Sequence, residues 1–222
     1  DRTAAVIAEP IQGEGGIRPL SHAAVEAING ACASTGALFI ADEVQTGLGR
    51  TGVPFYFQAL GLKPDLVSVG KALGGGVPIG ACLASERMAQ AVSPGDHGTT
   101  YGGNLLACRA AVFFLEQLMD KGGLDHVNAV APHFERRLRT IALRHPLVVE
   151  VRGAGLMRGL ELRVDALPVV DAARRHGLLV NRTAQTVVRM LPPLTIEVDE
   201  LDRALDVLDA VLAEVEVVEV RA

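Results

Sequence analysis

Three short apolar runs set the tightest limit on what this chain can become. Thr3–Glu9 (TAAVIAE), Ala37–Asp42 (ALFIAD) and Asp65–Lys71 (DLVSVGK) each deliver an ionisable residue at or just past their carboxyl end. Continuous apolar runs of this length fit strands buried on both faces, as in a parallel sheet. Between the first two, Ser21 can cap a helix over roughly His22–Ser34, and Gly36 can close it. Phe55–Leu60 reads as a helical turn, and Ile79–Ala84 (IGACLA) as a fourth strand. Strand, helix, strand, turn, strand is the βαβ pattern of an α/β domain built on a parallel sheet.

Composition narrows the class. The 222 residues are 49% hydrophobic, enough to bury the core of one large domain or two small ones. A net charge of -5 without a basic stripe argues against nucleic acid as a partner. The most apolar stretch, Leu66–Ala84, contains Lys71, several glycines and Pro78, which does not suit a membrane span. The start has no basic segment followed by an apolar one, so it is not a signal peptide. Because the chain opens almost directly on a strand, residues before Asp1 are expected to be missing. Cys32, Cys82 and Cys108 stand in apolar settings without metal-type spacing and read as buried thiols in a reducing, cytoplasmic compartment.

From Asn104 the pattern changes to long helices, Leu105–Met119 and roughly Leu124–Leu143. The intervening Asp-Lys-Gly-Gly is the best domain boundary, separating 1–122 from 123–222. Beyond it come strand-like runs at Val148–Arg152 and Leu156–Arg163, with Gly153 and Gly155 at the turn, and a helix at Leu167–Arg175. Strands at Leu178–Asn181 and Val187–Leu191 come next, then a last helix capped by Asp199. That order describes a small α+β domain.

The residues that invite chemistry sit at the strand ends, where open parallel sheets bind their ligands. Lys71 enters a glycine-rich, uncharged loop (KALGGGVPIG). An ammonium in such company is expected to be poorly solvated and its amine nucleophilic, as in a lysine that condenses with a carbonyl. A lysine that merely ends a strand and reaches solvent would read the same way. Asp42, directly after Phe39-Ile40-Ala41, needs a partner if it is buried: a protonated heterocyclic nitrogen, a lysine or an arginine. Gly47-Leu48-Gly49-Arg50-Thr51-Gly52 satisfies G-x-G-x-x-G literally, yet it neither comes directly after a strand nor opens a helix, so a dinucleotide fingerprint is rejected. Glu14 lies in an acidic, glycine-rich loop after the first strand. Arg189, inside the apolar run VVRMLPPL, demands an anion, which can be a substrate carboxylate or a protein one such as Glu14. If that bridge opens, it is a substrate gate. Gly98–Asn104 (GTTYGGN) offers hydroxyls and amides at a helix start, which suits a phosphate or an ordinary cap. The histidines show no metal spacing, and no metal is assigned.

Taken in order, EPIQGEGG, DEVQTGLGRTG, SVGKALGGG, HGTTYGGN and VRMLPPL resemble the motifs of class III, pyridoxal-phosphate-dependent aminotransferases. Within the family, RGAGLMRGLEL and GLLVNRTAQTVVRMLPPL are most similar to its acetylornithine branch. The resemblance implies a fold-type I transferase: part of the large domain with its mostly parallel sheet, followed by the small α+β carboxyl-terminal domain. It implies that Lys71 carries pyridoxal 5'-phosphate and then moves a proton between carbons, and that Asp42 keeps the pyridine nitrogen protonated. Val44 is implied to pack on a ring face, Gln45 to bond the phenolic oxygen, and Thr100 to reach the phosphate of the neighbouring subunit in a homodimer. Arg189 is implied to bind the α-carboxylate of glutamate or 2-oxoglutarate, with Glu14 covering it when a terminal amine is the donor. The implied reaction is transfer of the terminal amino group of N-acetylornithine, or of succinyldiaminopimelate, to 2-oxoglutarate in arginine biosynthesis. Ornithine and 4-aminobutyrate aminotransferases and glutamate-semialdehyde aminomutase share these motifs, and a non-catalytic fragment that needs a partner half is the alternative of another class. The family reads GGNP where this chain has Gly102-Gly103-Asn104-Leu105, a change expected to affect the helix start more than the chemistry.

Overall fold

The computed structural model describes residues 2–219, with side chains to Val215. Its elements run β1 (Ala5–Ala8), β2 (Ile11–Gln12), β3 (Arg18–Pro19), α1 (His22–Thr35), β4 (Leu38–Asp42), α2 (Tyr56–Leu60), β5 (Leu66–Val69), β6 (Ala81–Ala84), α3 (Glu86–Ala89), α4 (Leu105–Met119), α5 (Gly123–Arg144), β7 (Val148–Ala154), β8 (Met157–Leu162), α6 (Leu167–Arg175), β9 (Asn181–Thr183), β10 (Val187–Met190) and α7 (Val198–Glu219). They divide into two compact units. The first comprises Asp1–Pro10 with Leu20–Leu124, and the second Ile11–Pro19 with Asp125–Ala222. The division falls just past the Gly-Gly pair expected from the sequence, but the hairpin Ile11–Pro19 groups with the later unit.

In the first unit a sheet runs β1-β4-β5-β6. β1, β4 and β5 are parallel, with Ala8 opposite Ala41 and Asp42 opposite Ser68. The sheet is thus mostly parallel, as expected, and only its fourth described strand runs the other way: β6 pairs antiparallel with β5, Val69 opposite Ala81. The physical reason lies in the connection. Between Val69 and Ala81 the chain makes only a 3-10 turn at Lys71–Gly74 and a short loop, too little for the crossover that a parallel strand needs. Ser21 caps α1 by accepting the Ala24 N–H at 3.2 Å, and Gly36 ends it with a φ of +76°. Phe39, Ala41, Val67, Val69, Leu73 and Leu118 form the centre of this unit's core. Burial on both faces does not hold for β1, where Ile7 is 63% exposed. β6 is an edge, exposed at every position, and there Cys82 is exposed rather than buried; all three cysteines are free thiols.

In the second unit an antiparallel sheet runs β7-β8-β10-β9, covered by α5, α6 and α7 around Phe134, Leu138, Leu160 and Leu208. The sequence pattern puts the strand before β10 at Leu178–Asn181, whereas pairing begins at Asn181 because Arg189 and Asn181 are in register. Asp199 lies in the first turn of α7 rather than capping it. Among the described residues no helix is long and apolar enough to cross a membrane.

Candidate active site

Parallel pairing carries the sequence-predicted acids and lysine to one edge of the first sheet. Glu9 comes just after β1, Asp42 ends β4, and Lys71 stands one glycine beyond β5. Asp42 is half-buried and oriented. Its Oδ1 accepts the Val44 N–H at 3.1 Å and the Ser68 hydroxyl at 3.1 Å. Among the described residues no hydrogen bond reaches its Oδ2. A cationic N–H is the complement such an oxygen lacks.

Lys71 has a φ of +46°, the left-handed region that a non-glycine residue enters at a cost of about 1–2 kcal/mol. The 3-10 turn that Lys71 opens holds this strain in place. The Leu73 N–H reaches the Gly70 carbonyl at 3.0 Å, and Leu73 and Gly74 are buried where the turn packs on α4. The backbone is thus fixed while the side chain is exposed, and the poorly solvated ammonium expected from the apolar neighbours is not found in this unit. Apolar sequence neighbours do not bury a side chain when the turn that carries it faces outward.

Between Asp42 and α2 the loop is all turns, and Gly52 opens no helix. Gly49 permits its close approach to α4, since a Cβ there would lie 2.5 Å from a methyl of Leu118. Val44 lies beside the Gly70–Lys71 link, its nearer methyl 3.8 Å from where a Gly70 Cβ would stand, and Gln45 next to it is half-buried. The loop is organised by Glu43, only 1% exposed. Its carboxylate accepts the Phe57 N–H at 2.6 Å and the Thr46 hydroxyl. Burial pushes its carboxyl above the usual range, against the bonds from Thr46, Phe57 and Tyr56 and helped by the charge of Asp42. Burial likewise lowers the Arg50 guanidinium to about 10. Farther on, the Thr99 hydroxyl accepts the Gly102 N–H at 3.1 Å, and Asn104 caps α4 by accepting the Ala107 N–H at 2.9 Å. Thr100 is exposed on that loop, and no described contact joins it to Asp42 or Lys71.

The second unit holds the other pair. Arg189 is 8% exposed in the middle of β10. Its Nη1 donates to Glu14 Oε1 at 2.6 Å and its Nε to Asn181 Oδ1 at 3.1 Å. The pair is asymmetric, with the Arg189 side chain 9% exposed and that of Glu14 72%. An arginine fixed on a strand and covered by an exposed carboxylate can offer its charge to another carboxylate once that cover rotates away.

Sequence reasoning missed Glu43, Ser68 and Asn181. Ser68 was signalled as the one polar residue in an otherwise apolar strand. Asn181 carried no signal short of the β9–β10 register.

Comparison with known proteins gives the family. Residues 1–212 match the class-III aminotransferase family. The acetylornithine aminotransferase of Methanothermobacter thermautotrophicus is 45% identical over 214 residues, covering 96% of this chain and 55% of the relative. That of Methanocaldococcus jannaschii is 43% identical, covering 97% and 54%. Among solved structures, N-acetylornithine aminotransferase from Stenotrophomonas maltophilia superposes with a TM-score of 0.85 at 34% identity, covering 97% of this chain and 57% of that one. An ornithine aminotransferase from Toxoplasma gondii, with partial occupancy of PLP at its active site, gives a TM-score of 0.88 at 35% identity, covering 96% and 51%. The chain therefore spans about half the length of the curated relatives it matches. With the match over residues 1–212 and relatives at 43–45% identity, the chain belongs to the class-III aminotransferase family.

Proposed function

We propose that this chain belongs to a pyridoxal-phosphate-dependent transaminase that moves the terminal amino group of N-acetylornithine to 2-oxoglutarate, a step of arginine biosynthesis in the cytoplasm. In this reading the first unit is part of the cofactor-binding large domain, and the later unit, with the Ile11–Pro19 hairpin, is the small domain. The substrates are an amino acid and a keto acid, and the active form is a homodimer with shared sites. The observation that carries the reading is Asp42 beside the Lys71 strand, at the carboxyl ends of paired parallel strands, with one carboxylate oxygen held by two donors.

The residues fit the group. Pyridoxal phosphate supplies a carbonyl that accepts an amine and a cationic ring that draws electrons from the adjacent carbon. Asp42 Oδ2 would accept a ring N–H, with the Val44 amide and Ser68 hydroxyl holding the carboxylate in place through Oδ1. Lys71 Nζ would be the amine that holds the group, and it is the base that would carry a proton at the substrate carbon. The Val44 methyls offer an apolar surface beside it, Gln45 an amide, and Thr100 a hydroxyl for a phosphate oxygen. Arg189 holds a substrate carboxylate when Glu14 has turned away, and Glu14 neutralises it when the donor presents only an amine. The same arginine then serves two unlike substrates in turn.

Visible absorbance of the cofactor-loaded protein tests the anchor. Lys71→Ala should abolish the lysine-linked band and lower turnover by about 10²–10⁴-fold, the usual worth of a positioned proton carrier. A band that survives the substitution rejects Lys71 as the anchor. A donor panel separates the nearest alternative, which the ornithine aminotransferase likeness favours. Turnover with ornithine and none with acetylornithine would replace the substrate.

A further inference from the structure

We infer that Thr183 and Arg152 are positioning residues for the Glu14–Arg189 pair, clamping the backbone on both sides of Glu14 so that its carboxylate leaves Arg189 by side-chain rotation alone. The inference rests on the gate reading above and adds how the gate moves. The Thr183 hydroxyl, 4% exposed on β9, donates to the Glu14 carbonyl and lies 3.4 Å from that of Gly13. On the other side, Arg152 Nε donates to the Gly16 carbonyl at 2.8 Å. Arg152 is itself fixed, bonded to Glu150 at 2.8 Å and to Glu161. Ile17 completes the clamp. It is wholly buried with a φ of +53°, an outlier for a β-branched residue.

The sheet is shaped to hold it there. A Cβ at Gly159 would come within 3.0 Å of Ile17 Cβ, and one at Gly153 within 2.9 Å of Ile17 Cγ2. Gly159 is also the residue opposite Arg189 in the β8–β10 ladder, so the notch that seats Ile17 lies beside the arginine that Glu14 covers. Strain of this kind persists only where the surroundings over-determine it. Buried Gly13, Gly16 and Ile17 flank Glu14, whose side chain pairs with Arg189 and is exposed. Opening the gate then turns a side chain with an exposed carboxylate, not the backbone of a loop.

Two measurements test this. In backbone ¹⁵N relaxation on the chain, the Gly13–Ile17 amides should show order parameters near about 0.85, falling below about 0.6 in Thr183→Val and recovering in Thr183→Ser. In the holoenzyme, Thr183→Val should raise kcat/KM for the dicarboxylic keto acid relative to the amino donor about tenfold, about 1.4 kcal/mol, with recovery in Thr183→Ser. Ile17→Ala withdraws the plug without touching the hydroxyl and carries the same expectation if Thr183→Val does not fold. An unchanged loop, or equal losses in both half-reactions, overturns the clamp. Glu14→Gln separates the two readings. If it shifts the ratio and Thr183→Val does not, the clamp alone is wrong; if it leaves the ratio unmoved, the gate is wrong and the clamp falls with it.

Discussion

The two units treat their buried charges in opposite ways. In the second, Arg152, Arg158 and Arg189 are nearly inaccessible, and each meets a carboxylate. The Arg139 hydrogen bond pulls Glu135 below the usual carboxylate range, with Arg158 adding to it against burial. Burial alone would raise Glu161, but the bonds from Thr186 and Arg152 outweigh it and the carboxyl ends below that range. In the first unit the buried acid is Glu43, bonded to a hydroxyl and to backbone amides, and it is raised. A carboxylate matched by a guanidinium is locked as an anion, while one matched by neutral donors keeps a proton longer. The helices differ as well: α5, α6 and α7 pack on the second unit's sheet, whereas α4 of the first has Leu105 88%, Leu106 73% and Phe113 54% exposed, although Leu143 and Leu179 of the second unit are exposed too.

The largest effect should come from the sealed core. Phe134→Ala, at a site 1% exposed, should cost about 3–5 kcal/mol in denaturant unfolding. Phe113→Ala on α4 should stay within about 0.5 kcal/mol. Similar costs for both would erase the contrast between a core position and an open helix face. Next comes Asp42→Asn, which keeps the shape and the bonds to Val44 and Ser68 but removes the charge. Turnover of the holoenzyme should fall by about 10²–10³-fold, as when one aimed electrostatic group is lost. The melting temperature should barely move, because the half-buried group supports no core. A large loss of stability without loss of turnover would make Asp42 structural.

The opposite acid shifts give a smaller effect with a clear sign. The Glu43 carboxyl is raised, so in the folded state it keeps a proton that the unfolded chain sheds near pH 4.5. Stability from this group is full below that value and declines as pH rises toward the folded pKa. Glu43→Gln retains an oxygen for the Phe57 N–H and does not titrate. Its melting temperature relative to the parent should therefore climb from pH 4.5 toward neutrality. Glu135 and Glu161 work the other way, stabilising above the ordinary carboxylate range and losing that contribution as pH falls through their lowered pKa values. The acid limb of the melting curve should survive Glu43→Gln unchanged. A variant whose advantage shrinks with rising pH would place Glu43 among the ion-paired acids.

Much of the fold and part of the site are legible in the residues alone. Ser21, Gly36 and Asn104 bound helices because capping is local chemistry, and the alternation of apolar runs with turns marks most strands. Arg189 in an apolar run announces its need for an anion, and Glu14 is a candidate at long sequence separation. The hidden features depend on pairing. The antiparallel sense of β6, the Asn181 bond to Arg189 and the transfer of the Ile11–Pro19 hairpin to the later unit arise from register and tertiary packing, which periodicity does not encode. Exposure of Lys71 and Cys82 escapes a sequence reading for one reason: apolar neighbours along the chain are not always apolar neighbours in space.

The smallest effect probes the link between a cap and the loop ahead of it. Asn104 does two things at once: Oδ1 accepts the Ala107 N–H at 2.9 Å and Nδ2 donates to the Tyr101 carbonyl at 3.0 Å. Leu105 stands at the first helical position, where proline would have pre-set the turn, so the cap carries more of the helix start here. Asn104→Ala should cost about 1 kcal/mol, and Asn104→Gly only a few tenths if capping alone is at stake. Glycine nonetheless abolishes the bond to Tyr101. Hydrogen exchange across Gly98–Asn104 should therefore quicken in both variants, although only alanine lowers the melting temperature appreciably. If exchange quickens in alanine and not in glycine, the loop that carries Thr100 is held by the helix start and not by the amide of Asn104.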